Sequence, residues 1–259
     1  MNAGLTITRT DIEPSIAKQP DQNVIGVTEN LSLLSDLLRK SAIDAKRDPE
    51  DVHLLAVSKK QPLGKIREAA AAGQRHFGEN FVQEGLEKIE ALAGLDLTWH
   101  FIGHLQSNKT LKVAKSFDWV HTIDRLKTAR RLDEQRPADL PPLNICIQVN
   151  VDGEASKAGI APQKLHDLAA ACAELPRLRL RGLMCLPAIR EGFAAQRAPF
   201  AALRQMAEDL RQRGLDIDTL SMGMTGDYRA AIFEGATIVR IGTALFGERE
   251  QAGTWTTAK

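Results

Sequence analysis

Two rhythms of apolar and polar residues alternate along this chain from Val24 onward. Val27, Leu31, Leu34, Leu37 and Leu38 recur at helical spacing as far as about Ala45, which predicts an amphipathic helix. Next comes HLLAVS (53–58), a short apolar run ending in polar residues. It is followed by PLGKIREAAAAG (62–73), a helix with Pro near its start and Gly past its end. The pairing then repeats. RHFGEN (75–80) precedes FVQEGLEKIEALAG, LTWHFIG (97–103) precedes QSNKTLKVAKS, and DWVHTID (118–124) precedes RLKTARRLDEQR. LNICIQVNVD (143–152) precedes PQKLHDLAAACAEL, and LRLRGLMCLP (178–187) precedes a helix over roughly 193–213. IDTLSMGM (217–224) precedes GDYRAAIFEG, and ATIVRIGTALFG (236–247) closes the series.

Eight strand-like runs separated by helical segments and short loops imply parallel strands joined by helical crossovers. Eight such units in about 200 residues favour a single closed (β/α)8 TIM barrel, an α/β fold, over an open doubly wound sheet. No G-x-G-x-x-G follows any run, so the dinucleotide-binding open sheet has no support. Residues 1–23 are polar, carry Pro14 and Pro20, keep no sustained period and read as a loosely held extension. The barrel is expected over 24–250, with 251–259 as a tail.

Composition sets outer limits. The 259 residues admit one or two domains, since an α/β barrel alone takes about 250. Lys plus Arg is 34 against 33 for Asp plus Glu, a net charge of +1, which argues against a nucleic-acid partner. Cys146, Cys172 and Cys185 lie in apolar runs without C-x-x-C spacing, a pattern of buried thiols in a reducing compartment. No window has the 18 or so apolar residues of a membrane span, and the N-terminus lacks a basic region followed by an apolar one. A cytoplasmic monomer without a membrane partner is expected.

In such barrels chemistry collects at the C-terminal ends of the strands. Those ends carry Ser58-Lys59-Lys60, Glu79-Asn80, Gly103-His104, Asp124 (a cap ahead of Arg125), Asn150-Val151-Asp152, Pro187, Met224-Thr225 and Gly242-Thr243. A lysine closing HLLAVS leaves its amine in a partly desolvated mouth, where burial favours the neutral form that attacks carbonyls. A snorkelling lysine that reaches solvent is the plain alternative. Lys59 shares the parity of His53, Leu55 and Val57, and Lys60 that of Ser58; both sets are largely apolar, so the pattern leaves open which faces inward. At the last two strands SMGMTGD and VRIGTALFG place small residues and a threonine before a helix or turn, where barrels bind phosphate. Amine and phosphate cup together point to a phosphorylated carbonyl ligand. His100 and His104 have zinc-helix spacing but lie in a strand-like run, where four residues span about 13 Å, so no metal site is expected.

Eight ordered motifs carry a family resemblance: AVSKKQP, FGENFVQE, WHFIGHLQSNK, HTID, QVN followed by SKAGI, RGLMCLPA, SMGMTGDY and VRIGTALFGERE. Over about Val24 to Glu250 the chain resembles the YggS/PROSC pyridoxal-phosphate homeostasis proteins, single-domain barrels similar to the N-terminal domain of alanine racemase. The resemblance implies that Lys59 carries pyridoxal 5′-phosphate (PLP) as an internal aldimine. It places the phosphate against Met224-Thr225 and Gly242-Thr243, Arg240 at the pyridine nitrogen, and Asn80 in the pocket lining. Thr225 stands where the family usually has Ser and keeps the hydroxyl. Tyr228-Arg229 and Lys60-Gln61 also depart from the common pattern, so a role for the second family lysine does not transfer.

A guanidinium at the pyridine nitrogen disfavours the pyridinium and weakens the ring as an electron sink. Racemases with this barrel compensate with a Lys and a Tyr on opposite faces of the substrate, the Tyr coming from a second domain. At 259 residues there is room for the barrel and its tails only. The single tyrosine, Tyr228, falls in the opening turn of a helix and reads as a helix-surface aromatic. The expected function is therefore holding, buffering and handing on PLP, with apo PLP-dependent enzymes as acceptors and no assigned catalytic residue. The rival is a PLP-dependent amino-acid racemase of low activity, and a third reading is a colourless phosphosugar enzyme. Lys157, after the fifth strand, reads as a solvated loop lysine, with a transient acceptor role as the alternative.

Overall fold

Apolar runs that lack polar alternation suit strands covered on both faces, and the chain uses them that way. The strands are β1 (His53–Val57), β2 (His76–Glu79), β3 (Thr98–Phe101), β4 (Trp119–Ile123), β5 (Leu143–Gln148), β6 (Leu178–Met184), β7 (Thr219–Ser221) and β8 (Ile238–Ile241). All pair in parallel and in chain order, and β8 returns to β1 with His53 beside Ile238 and Ala56 beside Ile241, closing the barrel. This computed structural model describes residues 26–154 and 158–247. The expected extension 1–23, the tail 251–259 and Lys157 lie outside the described residues.

Helices wrap the outside: α1 (Val27–Asp44), α2 (Leu63–Ala71), α3 (Val82–Ala91), α4 (Thr110–Ser116), α5 (Leu126–Gln135), α6 (Leu165–Ala173), α7 (Phe193–Gln212), α8 (Tyr228–Phe233) and α9 (Thr243–Phe246). The main core fills the layer between strands and helices, with Phe77, Phe101, Phe117 and Phe200 fully enclosed. The helix before the barrel, α1, buries Val27, Leu31, Leu34, Leu38 and Ala42 and packs on α2, α8 and α9. Inside the barrel Leu55, Ile102 and Ile238 form one small cluster, and Trp119, Cys146 and Met184 another, so the interior is packed. Among the described residues no helix is long and apolar enough to cross a membrane.

The observed strands stop short of the apolar runs. β7 ends at Ser221 because Gly223 turns the chain at φ +93°, with its α-carbon so close to α8 that a Cβ there would meet the Ala231 Cβ at 2.6 Å. Asp124 does not cap the following helix. The N-cap position falls on Arg125, which makes no side-chain cap bond, and Asp124 instead lies 3.8 Å from the Arg125 guanidinium. The helix starts one residue later than the sequence suggests, which moves the carboxylate beyond reach of the first N–H groups.

Candidate functional site

The chain leaves β1 through a backbone segment gripped from behind. Ser58 N–H donates to the Gly78 carbonyl at 3.0 Å, and the Ser58 hydroxyl donates to Glu79 Oε1 at 2.6 Å. Lys88, buried on α3, reaches back with its ammonium to the Ser58 carbonyl (2.6 Å), Glu79 Oε1 (2.8 Å) and Glu84 Oε1 (2.7 Å). Glu84 also accepts from the Lys60 N–H, and Lys60 takes a left-handed φ of +58° that turns its side chain out to solvent. Burial pushes the Glu79 carboxyl up and the Lys88 charge pulls it back down. Lys59, between these two anchors, is half-buried and faces the barrel mouth with Val57. The parity left open by the pattern is thus settled: the Leu55, Val57 and Lys59 set points inward.

β2 delivers Asn80. Its Oδ1 is buried and has no hydrogen-bond partner among the described residues. The ends of β2 and β3 approach so closely that a Cβ on Gly103 would lie 2.0 Å from the Asn80 carbonyl oxygen, so only glycine fits. From β8 comes Arg240, buried, donating from Nη1 to the Ser221 hydroxyl and from Nη2 to the Cys185 carbonyl, both at 2.8 Å. Both acceptors are neutral. Burial lowers the Arg240 pKa, partly offset by Cys185 and Asp227, yet a guanidinium remains charged throughout the physiological range.

After β7 the Met224–Asp227 turn is pinned by Asp227, whose carboxylate accepts from the Met224 N–H at 2.6 Å, while the Met224 carbonyl accepts from Tyr228 N–H. After β8 the Gly242 carbonyl accepts from the Leu245 and Phe246 N–H groups, starting α9, which leaves the Thr243 and Ala244 N–H groups without an acceptor inside that turn. Thr225 and Thr243 stand on these two turns.

Lys59, Asn80, Met224, Thr225, Arg240, Gly242 and Thr243 all line one cavity of about 290 Å³, together with Val57, Gln61, Ile102, Met184 and Leu186. That volume is at the small end for ligand sites and suits one compact molecule. The polar groups fit a phosphorylated aromatic aldehyde: an amine, a buried cation that can donate to a ring acceptor, an unpartnered amide oxygen that can accept, and two hydroxyl-bearing turns for an anion. Sequence reasoning missed Gln61 and Lys88. Gln61 follows the end of β1 by four residues, outside the positions read there, and Lys88 has the look of an ordinary helix-surface charge spaced i, i+4 from Glu84.

Other candidates lie elsewhere. His104 is exposed, whereas His100 is buried inside the barrel between His76 and His121. Asp152 ties the loop after β5 to the loop after β6, accepting from Arg190 Nη2 and from the Ala188 N–H, both at 2.6 Å. Tyr228 opens α8 and packs against the outer core on the side of α1; burial raises its hydroxyl pKa. It is not among the cavity residues.

The alanine racemase N-terminal domain family matches residues 39–250. A pyridoxal phosphate homeostasis protein of Pseudomonas aeruginosa is 58% identical over 224 residues, which is 86% of this chain and 96% of the relative. One from Escherichia coli is 54% identical over 230 residues, 86% of this chain and 97% of its own. Among solved structures, PipY of Synechococcus elongatus with PLP bound superposes with a TM-score of 0.75 at 40% identity, over 85% of this chain and 100% of that one.

Proposed function

The chain belongs to the pyridoxal phosphate homeostasis proteins, built on the alanine racemase N-terminal barrel, and from that premise we propose that it binds PLP in the cavity at the barrel mouth and serves its intracellular supply. One observation carries the assignment of the site: Lys59, Arg240, Thr225 and Thr243, from the first and the last two strands, face a single small cavity. When bound, PLP supplies an aldehyde carbon that an amine can capture and a conjugated ring behind it. Lys59 is the capturing amine, and the Ser58–Glu79–Lys88–Glu84 cluster holds the backbone from which it projects. Thr225, Thr243 and the backbone around Met224 and Gly242 would hold the phosphate, and Arg240 would donate to the ring nitrogen. Asn80 offers its unpartnered Oδ1 to the polar edge of the ring.

Tyr228 lies against α1, so the opposite-face base that racemisation needs is not supplied by it. Exposed apolar side chains stand on the loops that follow β2, β6 and β7, namely Phe81, Leu186, Ile189 and Met224. They give the mouth a surface suited to an apo-enzyme acceptor of the cofactor.

The purified protein is expected to show a visible absorption band from lysine-bound PLP, and Lys59→Ala is expected to abolish it. An unchanged band in that variant overturns the site. Mixing loaded protein with an apo aminotransferase should restore the latter's activity faster than dissociation into buffer alone allows. Chiral analysis of alanine and serine provides the contrary test, because sustained turnover would make the protein a racemase.

A further inference from the structure

A line of polar side chains crosses the barrel interior below the cavity. Arg240 Nη1 lies 2.8 Å from Ser221 Oγ, and Ser221 Oγ lies 2.8 Å from His121 Nδ1. His121 Nε2 is 2.9 Å from His100 Nδ1, and His100 Nε2 is 3.0 Å from His76 Nδ1. Ser221, His121, His100 and Arg240 are all buried, whereas His76, the first residue of β2, is half-buried at the opposite end of the barrel. The His53 ring stacks near it at 6.4 Å, and Asp118 faces it electrostatically. We propose that Ser221, His121, His100 and His76 form one polarised hydrogen-bonded chain that fixes the Arg240 guanidinium from below. His121 is then a positioning residue for the ring-nitrogen end of the cavity.

The direction of the chain follows from counting hydrogens. A guanidinium only donates, so Ser221 Oγ accepts from Arg240. The hydroxyl has one hydrogen, and His121 Nδ1 is the acceptor within reach among the described residues. Were His121 to donate from Nδ1, the serine oxygen would receive two donors and its own hydrogen would be stranded in a dry core. His121 therefore carries its hydrogen on Nε2 and passes it to His100 Nδ1, and His100 does the same toward His76. Every N–H then points away from the cavity, and each bond polarises the next, which strengthens the acceptor that Ser221 presents to Arg240. Burial favours the neutral imidazoles that this arrangement needs: the Arg240 charge adds to it at His121, and the neighbouring histidines add to it at His100.

The orienting role rests on the PLP reading, whereas the tautomers do not, so the two are tested apart. In the cofactor-free full chain, ¹⁵N imidazole NMR should report His121 and His100 as Nε2–H tautomers; an Nδ1–H His121 overturns the chain. In the loaded protein, Ser221→Ala should raise the PLP dissociation constant about tenfold, the loss of one hydrogen bond to a charged group. It should also move the visible band while borohydride trapping still finds PLP on Lys59. Ser221→Thr should restore both properties, and His121→Phe should behave like Ser221→Ala. Unchanged affinity and band in folded Ser221→Ala overturn the orienting role. Failure of the native protein itself to take up PLP overturns the binding reading and leaves the NMR result to decide the chain.

Discussion

Lys59 owes its direction to groups that never touch the cavity. Lys88 is the hub of that support, since its ammonium serves the Ser58 carbonyl and two carboxylates in a nearly dry pocket. Lys88→Met strands Glu79 without its cation and is expected to cost about 3 kcal/mol in denaturant unfolding, the usual cost of breaking one side of a buried pair. Adding Glu79→Gln should recover part of that loss, and a double-mutant cycle measures how much. The thiols make a second residue-scale test. Burial pushes Cys146, Cys172 and Cys185 up to about 12, so the native protein should resist thiol reagents at neutral pH and expose all three on unfolding. Lys59 was legible in the sequence because it closes an apolar strand run. Lys88 was not, because a lysine in an amphipathic helix shows its solvated or buried state only through tertiary contacts.

At the level of elements, the existence and order of strands and helices were legible in the alternation of runs, whereas their ends were not. Met184, Leu186 and Met224 remain apolar beyond or at the last ladder positions because they line the mouth, so each run overshoots its strand. The β2 and β3 ends define the wall that carries Asn80, and their approach depends on Gly103. Gly103→Ala places a methyl against the Asn80 backbone and should cost about 2 kcal/mol or more, together with weaker PLP retention. Gly94→Ala, where a Cβ meets nothing within 4 Å, is the matched control and should leave thermal unfolding and retention near the parent values.

For the whole molecule, the histidines inside the barrel set an acid limit. Burial lowers the His121 pKa from 6.5 to about 3, with the Arg240 charge adding to the effect; His100 and His76 are lowered too. A lowered folded-state pKa means the unfolded chain binds the proton first. For His121 the stabilising contribution is therefore fully present above pH 6.5 and is lost as pH falls toward 3, at up to about 1.4 kcal/mol per pH unit. Unfolding free energy measured across that window should drop steeply, and His121→Phe should flatten the curve. A drop of equal slope in the variant would remove His121 from the account. The barrel was legible as a whole, but this interior line was not, because His76, His100 and His121 sit in three separate runs and meet only when the strands close.

The closing seam between β8 and β1 has a consequence in time. The cavity takes Lys59 from the first strand and Arg240, Gly242 and Thr243 from the last strand and the turn after it, with nearly the whole barrel between them. During synthesis the early lysine therefore waits, and the cup that would retain the aldehyde exists only after the final strand has emerged and docked. On the proposed site, a half-made chain would react with free aldehyde without keeping it, cofactor loading would record finished folding, and a molecule bound across the seam would staple the two ends of the barrel against reopening.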